Sequence, residues 1–187
     1  MLKKMRGFTL IELLIVVAII GILAALLIPN AMEAIQKAKQ KSAMKEIVSV
    51  STASADYITD HGDWTLIPQQ GALQQGCQFI TAVATFYMKI VPLNDPWNSP
   101  YQVDCGQAAV TAALTGANSA DIGADDFCIQ SYGRNKQAGP IQASNYTTAT
   151  PEAGFYNVSK MADFDNDLVC WNGNWVVGPR TSLVTGS

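Results

Sequence analysis

The chain has 187 residues and a mass of 20.1 kDa, enough for one globular domain of ordinary size. Charged residues make up 14% of it, against a usual fraction of about 25%, which excludes a disordered polyelectrolyte. A net charge of -3 gives no basic footprint, so no specific nucleic-acid partner is expected.

The apolar residues are concentrated at the start. Residues 8–28, FTLIELLIVVAIIGILAALLI, hold one charge, Glu12, and follow a head carrying Lys3, Lys4 and Arg6. The run is longer than the ~7–15 residues of a signal-peptide core, and no A-x-A-like site closes it. As a helix it spans about 32 Å, which matches the ~30 Å hydrocarbon core of a bilayer. It is therefore read as membrane-spanning, with Lys3, Lys4 and Arg6 holding its N-terminus in the cytoplasm; Lys37, Lys39, Lys41 and Lys45 on the far side oppose that orientation. Glu12 is costly in such a helix. Either it reaches the head-group layer, or another molecule supplies it with a cation.

Gly21 and Pro29 are the expected weak points of this helix, since proline lacks an amide hydrogen and clashes with the preceding turn. Beyond Pro29 an amphipathic helix is expected over residues 30–61, with Met44, Ile47, Val48, Ser51, Ala55 and Ile58 on one face and Gly62 as its stop. Glu33 and Lys37 form an i,i+4 pair on the polar face. A helix from 8 to 61 would be roughly 80 Å long, so half of it needs cover from a membrane or from other copies of itself.

The rest, residues 63–187, reads as a head. A short helix is expected around 79–88, a turn at Asp95-Pro96-Trp97-Asn98-Ser99-Pro100-Tyr101, and strands at 101–105, 127–132 and 168–177. The fold class is α+β: a long N-terminal helix against a small antiparallel sheet. The intervening stretches 106–126 and 133–162 are expected to be loops.

Asp163, Asp165 and Asp167 alternate, so an extended backbone would point three carboxylates to one side. A solvated acidic loop and a structural Ca²⁺ site, with Ser131 and Asp126 as weaker ligands, are both open readings. Cys77, Cys105, Cys128 and Cys170 lie beyond the membrane segment, where an even count favours two disulfides. The strand candidates favour Cys105–Cys128 with Cys77–Cys170. His61 has no evident nucleophile to serve, and no catalytic activity is expected.

The N-terminal segment Lys4-Met5-Arg6-Gly7 followed by Phe8-Thr9-Leu10-Ile11-Glu12 resembles the class III signal of type IV pilins and type II secretion pseudopilins. The resemblance implies a leader peptide, residues 1–7, cut between Gly7 and Phe8 by a prepilin peptidase, with methylation of the new Phe8 amine. It implies that residues 8–29 form a transmembrane and then filament-core helix, that residues 30–62 continue it, and that Glu12 pairs with the Phe8 ammonium of an identical subunit in a helical filament. It also implies that Gly21 to Pro29 unwinds inside filaments, and that an inner-membrane platform assembles the subunits.

The head is similar to the major-pseudopilin head in its DPWNSPY segment, its Ser131-Tyr132-Gly133 turn and its acidic loop before Trp171 and Trp175, with Asn98 standing where glycine is usual. These features raise the expectation of calcium. The implied location is the bacterial inner membrane for the precursor, then a periplasmic or extracellular filament. The reading leans to a type IV pilus subunit. Its alternatives are a type II secretion major pseudopilin and a membrane-anchored periplasmic binding domain.

Overall fold

A computed structural model describes residues 8–84 and 86–180. The chain falls into two units, Met1–Ile35 and Gln36–Ser187. Helix α1, Leu10–His61, supplies residues to both. In the first unit the helix is apolar on every side and exposed on every side, with Leu10 at 88% and Leu26 at 71% exposure. It is long and apolar enough to cross a membrane. The expected break is not observed. The backbone stays helical through Gly21 and Pro29, so proline costs the helix its own amide bond without ending it.

In the second unit the buried face of α1 comprises Gln40, Ala43, Ile47, Val50, Ser51, Ala53, Ser54 and Tyr57. This corrects the expected stripe: Val48 and Ala55 are exposed, and Met44 and Ile58 are half-buried. The face turned inward is the one with small residues. Alanine and serine let the helix approach the sheet closely enough for Ser51 Oγ to meet Cys170 Sγ at 3.4 Å. Polar contacts pin the helix to the head at three further heights: Gln40 Nε2 donates to Tyr156, Tyr101 donates to Glu46, and Trp97 Nε1 donates to Gln36. Burial of Ile47, Phe79, Trp64 and Val103 against one another then stabilises the unit by about 1.5–3 kcal/mol per side chain.

The sheet has five strands in the order β1-β2-β4-β5-β3: β1 Gln102–Cys105, β2 Phe127–Ser131, β3 Phe155–Tyr156, β4 Leu168–Trp171 and β5 Asn174–Pro179. It is mixed rather than antiparallel, because β3 runs parallel to β5. The single strand expected over 168–177 is a hairpin. Asn172 and Gly173 both take positive φ, 48° and 82°, which is the two-residue turn that Asn-Gly favours. Helix α2, Gln78–Val83, is shorter than expected, and α3, Gln107–Ala113, occupies a stretch expected to be loop.

The β1–β2 register also corrects the disulfide expectation. Cys105 stands opposite Phe127 on the face toward α1, whereas Cys128 stands opposite Asp104 on the other face. The two thiols cannot meet across the sheet. Cys77 and Cys170 are free as well, so neither expected pair is formed. Burial pushes the Cys105 and Cys128 thiols well above their ordinary value, which makes them poor nucleophiles.

Candidate functional site

Two regions carry the expected site residues: the start of α1 and the acidic loop before β4. At the start of α1, Glu12 is bound within its own chain. Its Oε2 accepts from the Thr9 amide at 2.8 Å and from the Thr9 hydroxyl at 2.7 Å, while the Glu12 amide donates to Thr9 Oγ1 at 3.3 Å. This is a reciprocal capping box, with threonine before the first turn and glutamate at its third position. Thr9 was missed from the sequence, although Thr-x-x-Glu ahead of an apolar run is its usual signal. The box ties down two of the otherwise unsatisfied amides at the helix start. It also holds the carboxylate against the amide of the residue that follows Phe8. Phe8 is exposed; Gly7 and the leader lie outside the described residues.

The acidic loop does not form the expected cluster. Met161–Asp165 is a 3-10 helix, so Asp163, Asp165 and Asp167 do not alternate along an extended backbone. Each carboxylate turns to a different partner. Asp163 Oδ2 accepts from the amides of Ser159 and Lys160 and from the Ser159 hydroxyl. Asp165 forms a two-bond pair with the Arg134 guanidinium at 2.8 and 2.9 Å. Asp167 is fully buried, with Oδ1 on the Gly139 amide and Oδ2 on Gln130 Nε2, both at 2.8 Å.

The weaker candidates are engaged elsewhere. Asp126 accepts from Trp171 and Asn172, and Ser131 donates to Asp95. Calcium needs six to eight converging oxygens. Among the described residues no three Asp, Glu, His or Cys side chains converge, so the set does not fit that ion. Arg134 is the local cation, and local spacing could not have revealed it, because it reaches Asp165 across 31 residues of sequence. Part of this pair is exposed to water, so Arg134→Gln is expected to destabilise the head by about 1 kcal/mol, a small drop in Tm in a thermal melt.

Asp167 carries a larger electrostatic load. Burial raises its carboxyl from 3.8 to about 7, only partly offset by Gly139 and Gln130, and burial raises Asp104 to about 6. A raised carboxyl binds its proton more tightly in the folded state than in the unfolded one. Above pH 7 the folded state therefore bears the cost of a buried charge, and that cost is relieved as pH falls toward 4. The head is expected to be more stable at pH 5 than at pH 8 by on the order of 3 kcal/mol, read as a higher melting temperature at pH 5. Asp167→Asn should flatten most of this slope, because a neutral amide fits the same two partners once Gln130 turns its carboxamide. Equal slopes in the two proteins would contradict the assignment.

The turn motif has a clear geometry. Asp95 Oδ1 accepts from the amides of Trp97 and Ser99, and its Oδ2 accepts from the Ser131 hydroxyl on β2. Asn98 takes φ 61°, the left-handed conformation that asparagine tolerates better than other side-chain-bearing residues. That explains how it can stand at a glycine position. His61 is stacked on Tyr57 with ring centroids 4.1 Å apart and caps the end of α1 through the Tyr57 carbonyl.

Residues 2–28 match the prokaryotic N-terminal methylation motif. The type II secretion system core protein G of Escherichia coli K12 is 30% identical over 146 residues, spanning 72% of this chain and 95% of that protein. The chain belongs to the pilin and pseudopilin family. Core protein G of Aeromonas hydrophila is 32% identical over 54% of this chain and 73% of its own length, and that of Pseudomonas aeruginosa is 33% identical over the same shares. No solved structure gives a match. Membership of this family of filament subunits gives the exposed helix of the first unit a physical sense: an all-round apolar rod is covered by lipid or by other subunits.

Proposed function

We propose that the protein is a structural subunit of a type II secretion pseudopilus, of the major-pseudopilin kind. The observation that carries this is the reach of the similarity. It extends over 95% of the length of the Escherichia coli core protein G, well past the N-terminal motif. This favours the secretion reading over the type IV pilus reading to which the sequence leaned. In this account a prepilin peptidase cuts after Gly7, Phe8 is methylated, and the subunit waits in the inner membrane. An assembly platform then extracts it into a periplasmic filament with identical copies. Glu12, already oriented by Thr9, takes the Phe8 ammonium of a neighbour as its counter-charge in the filament core. A buried pair of this type fixes register even where its net stabilisation is small.

The driving force is burial of residues 8–28, because their large apolar side chains are all more than two-fifths exposed in the single chain. Deletion in the native host tests the reading. The expected result is retention of secreted proteins in the periplasm with surface pili unchanged. Lost surface pili with normal secretion would overturn it in favour of a pilus subunit.

A further inference from the structure

In the second unit, a groove of about 590 Å³ runs between α1 and the end of β5. Its charged lining is entirely basic: Lys37 and Lys41 from α1, and Arg180 beyond β5. Met44, Val158 and Pro179 give it an apolar floor. The described residues contain a single ion pair, Arg134 with Asp165, so the expected Glu33–Lys37 pair is not formed and none of the three groove cations has a carboxylate partner among the described residues. Among the described residues, the Arg180 guanidinium is steadied by the carbonyls of Phe155 and Glu152. Three unpaired cations converging on one groove are unusual in a chain of net charge -3.

The far end of the same helix carries the complementary charge. Asp56 and Asp60 are exposed near the C-terminus of α1, whose last turn offers only His61 as a base. Lysines nearer the start of this stretch and aspartates at its end oppose the helix dipole, which favours the reverse order. The arrangement therefore weakens the isolated helix. The spacing shows what it can serve. Lys37 and Lys41 are four residues apart, as are Asp56 and Asp60, and each aspartate lies nineteen residues beyond its lysine. Nineteen helical residues cover about 28 Å. Nineteen residues also advance the helix by five turns and about 100°, so a parallel copy displaced by that distance along α1 and turned about its axis by roughly 80° brings two carboxylates, one turn apart, against two ammonium groups, one turn apart.

We propose that the Lys37–Lys41–Arg180 groove receives the Asp56–Asp60 end of α1 from a second copy of this chain. The contact is heterologous, because the surface given and the surface received differ. It therefore propagates into a polymer instead of closing into a dimer. The inference rests on the filament reading and adds to it an axial register set by the heads. Asp60 also accepts from the Tyr87 hydroxyl at 2.9 Å, whereas Asp56 has no protein partner among the described residues, so Asp56 is the cleaner probe.

The test uses the full chain expressed in its host, with filament yield read against total processed subunit. Reversal of the groove (Lys37→Glu with Lys41→Glu) and reversal of the helix end (Asp56→Lys with Asp60→Lys) should each lower the yield about tenfold. The two reversals combined should restore most of it, which a merely structural role for these side chains would not do. As a second measurement, Lys37→Cys with Asp56→Cys should give ladders of cross-linked subunits on mild oxidation of assembled filaments. Wild-type yield from either reversed protein, or filaments without ladders, would overturn the groove and leave the filament reading standing. Absence of filaments from the unaltered chain would instead remove the filament reading itself.

Discussion

Replacing Glu12 with alanine is expected to leave cleavage after Gly7 intact and to lower filament yield roughly tenfold or more. The alanine chain keeps the apolar run that inserts into the membrane. It loses the carboxylate held by Thr9 at 2.7 and 2.8 Å. In an assembled core the neighbour's Phe8 ammonium would then be buried without a counter-charge, the arrangement that makes breaking a buried pair so costly. Glu12→Gln separates the two roles of the side chain. Glutamine can keep the capping box but carries no charge. Gln is expected to assemble nearly as poorly as Ala, by sedimentation of filaments released from the periplasm; normal yield from the Gln chain would mean that capping alone suffices.

The second large effect is expected at Gly133. Its φ of 68° is left-handed, and a Cβ built there would sit 2.7 Å from the carbonyl oxygens of both Phe164 and Asn166. Those oxygens belong to backbone that cannot swing aside as a side-chain tip would. Around this contact the two chain segments are bonded together: Arg134 N donates to the Phe164 carbonyl, Ile141 N to Asn166 Oδ1, and Asp167 N to the Ile141 carbonyl. A methyl group at 133 must therefore lift the acidic loop from the β2 turn. Gly133→Ala is expected to cost about 3 kcal/mol or more, combining left-handed strain with the loss of this seam. A melting temperature within a degree or two of the unaltered protein would show that the loop is not held there.

How far the sequence could be read differs from element to element, for physical reasons. The apolar run of residues 8–28 needed no tertiary context, because a helix exposed on all sides is specified by its solvent. The DPWNSPY turn was equally legible, since Asp95 bonds within its own segment to Trp97 and Ser99. The inward face of α1 was not. Close approach to the sheet selects Ala43, Ala53 and Ser54, which a hydrophobicity pattern discounts, over Val48, which it favours. The hairpin at Asn172-Gly173 and the Thr9–Glu12 box are locally encoded, the first by an Asn-Gly pair and the second by Thr-x-x-Glu.

The acidic loop and the groove are of another kind. Asp165 meets Arg134, and Lys41 and Arg180 line one groove, only because distant segments converge in the fold. No spacing rule within either segment encodes that convergence. The same holds for the thiols: strand proximity suggested Cys105 with Cys128, and the alternation of faces separates them.

The most direct test of the whole account is the intact mass of the protein taken from its native host, with its state of assembly measured on the same sample. The account predicts a chain whose first residue is N-methylated Phe8, recovered in sedimentable polymers. A chain that still carries Met1 and sediments only as single subunits would contradict it.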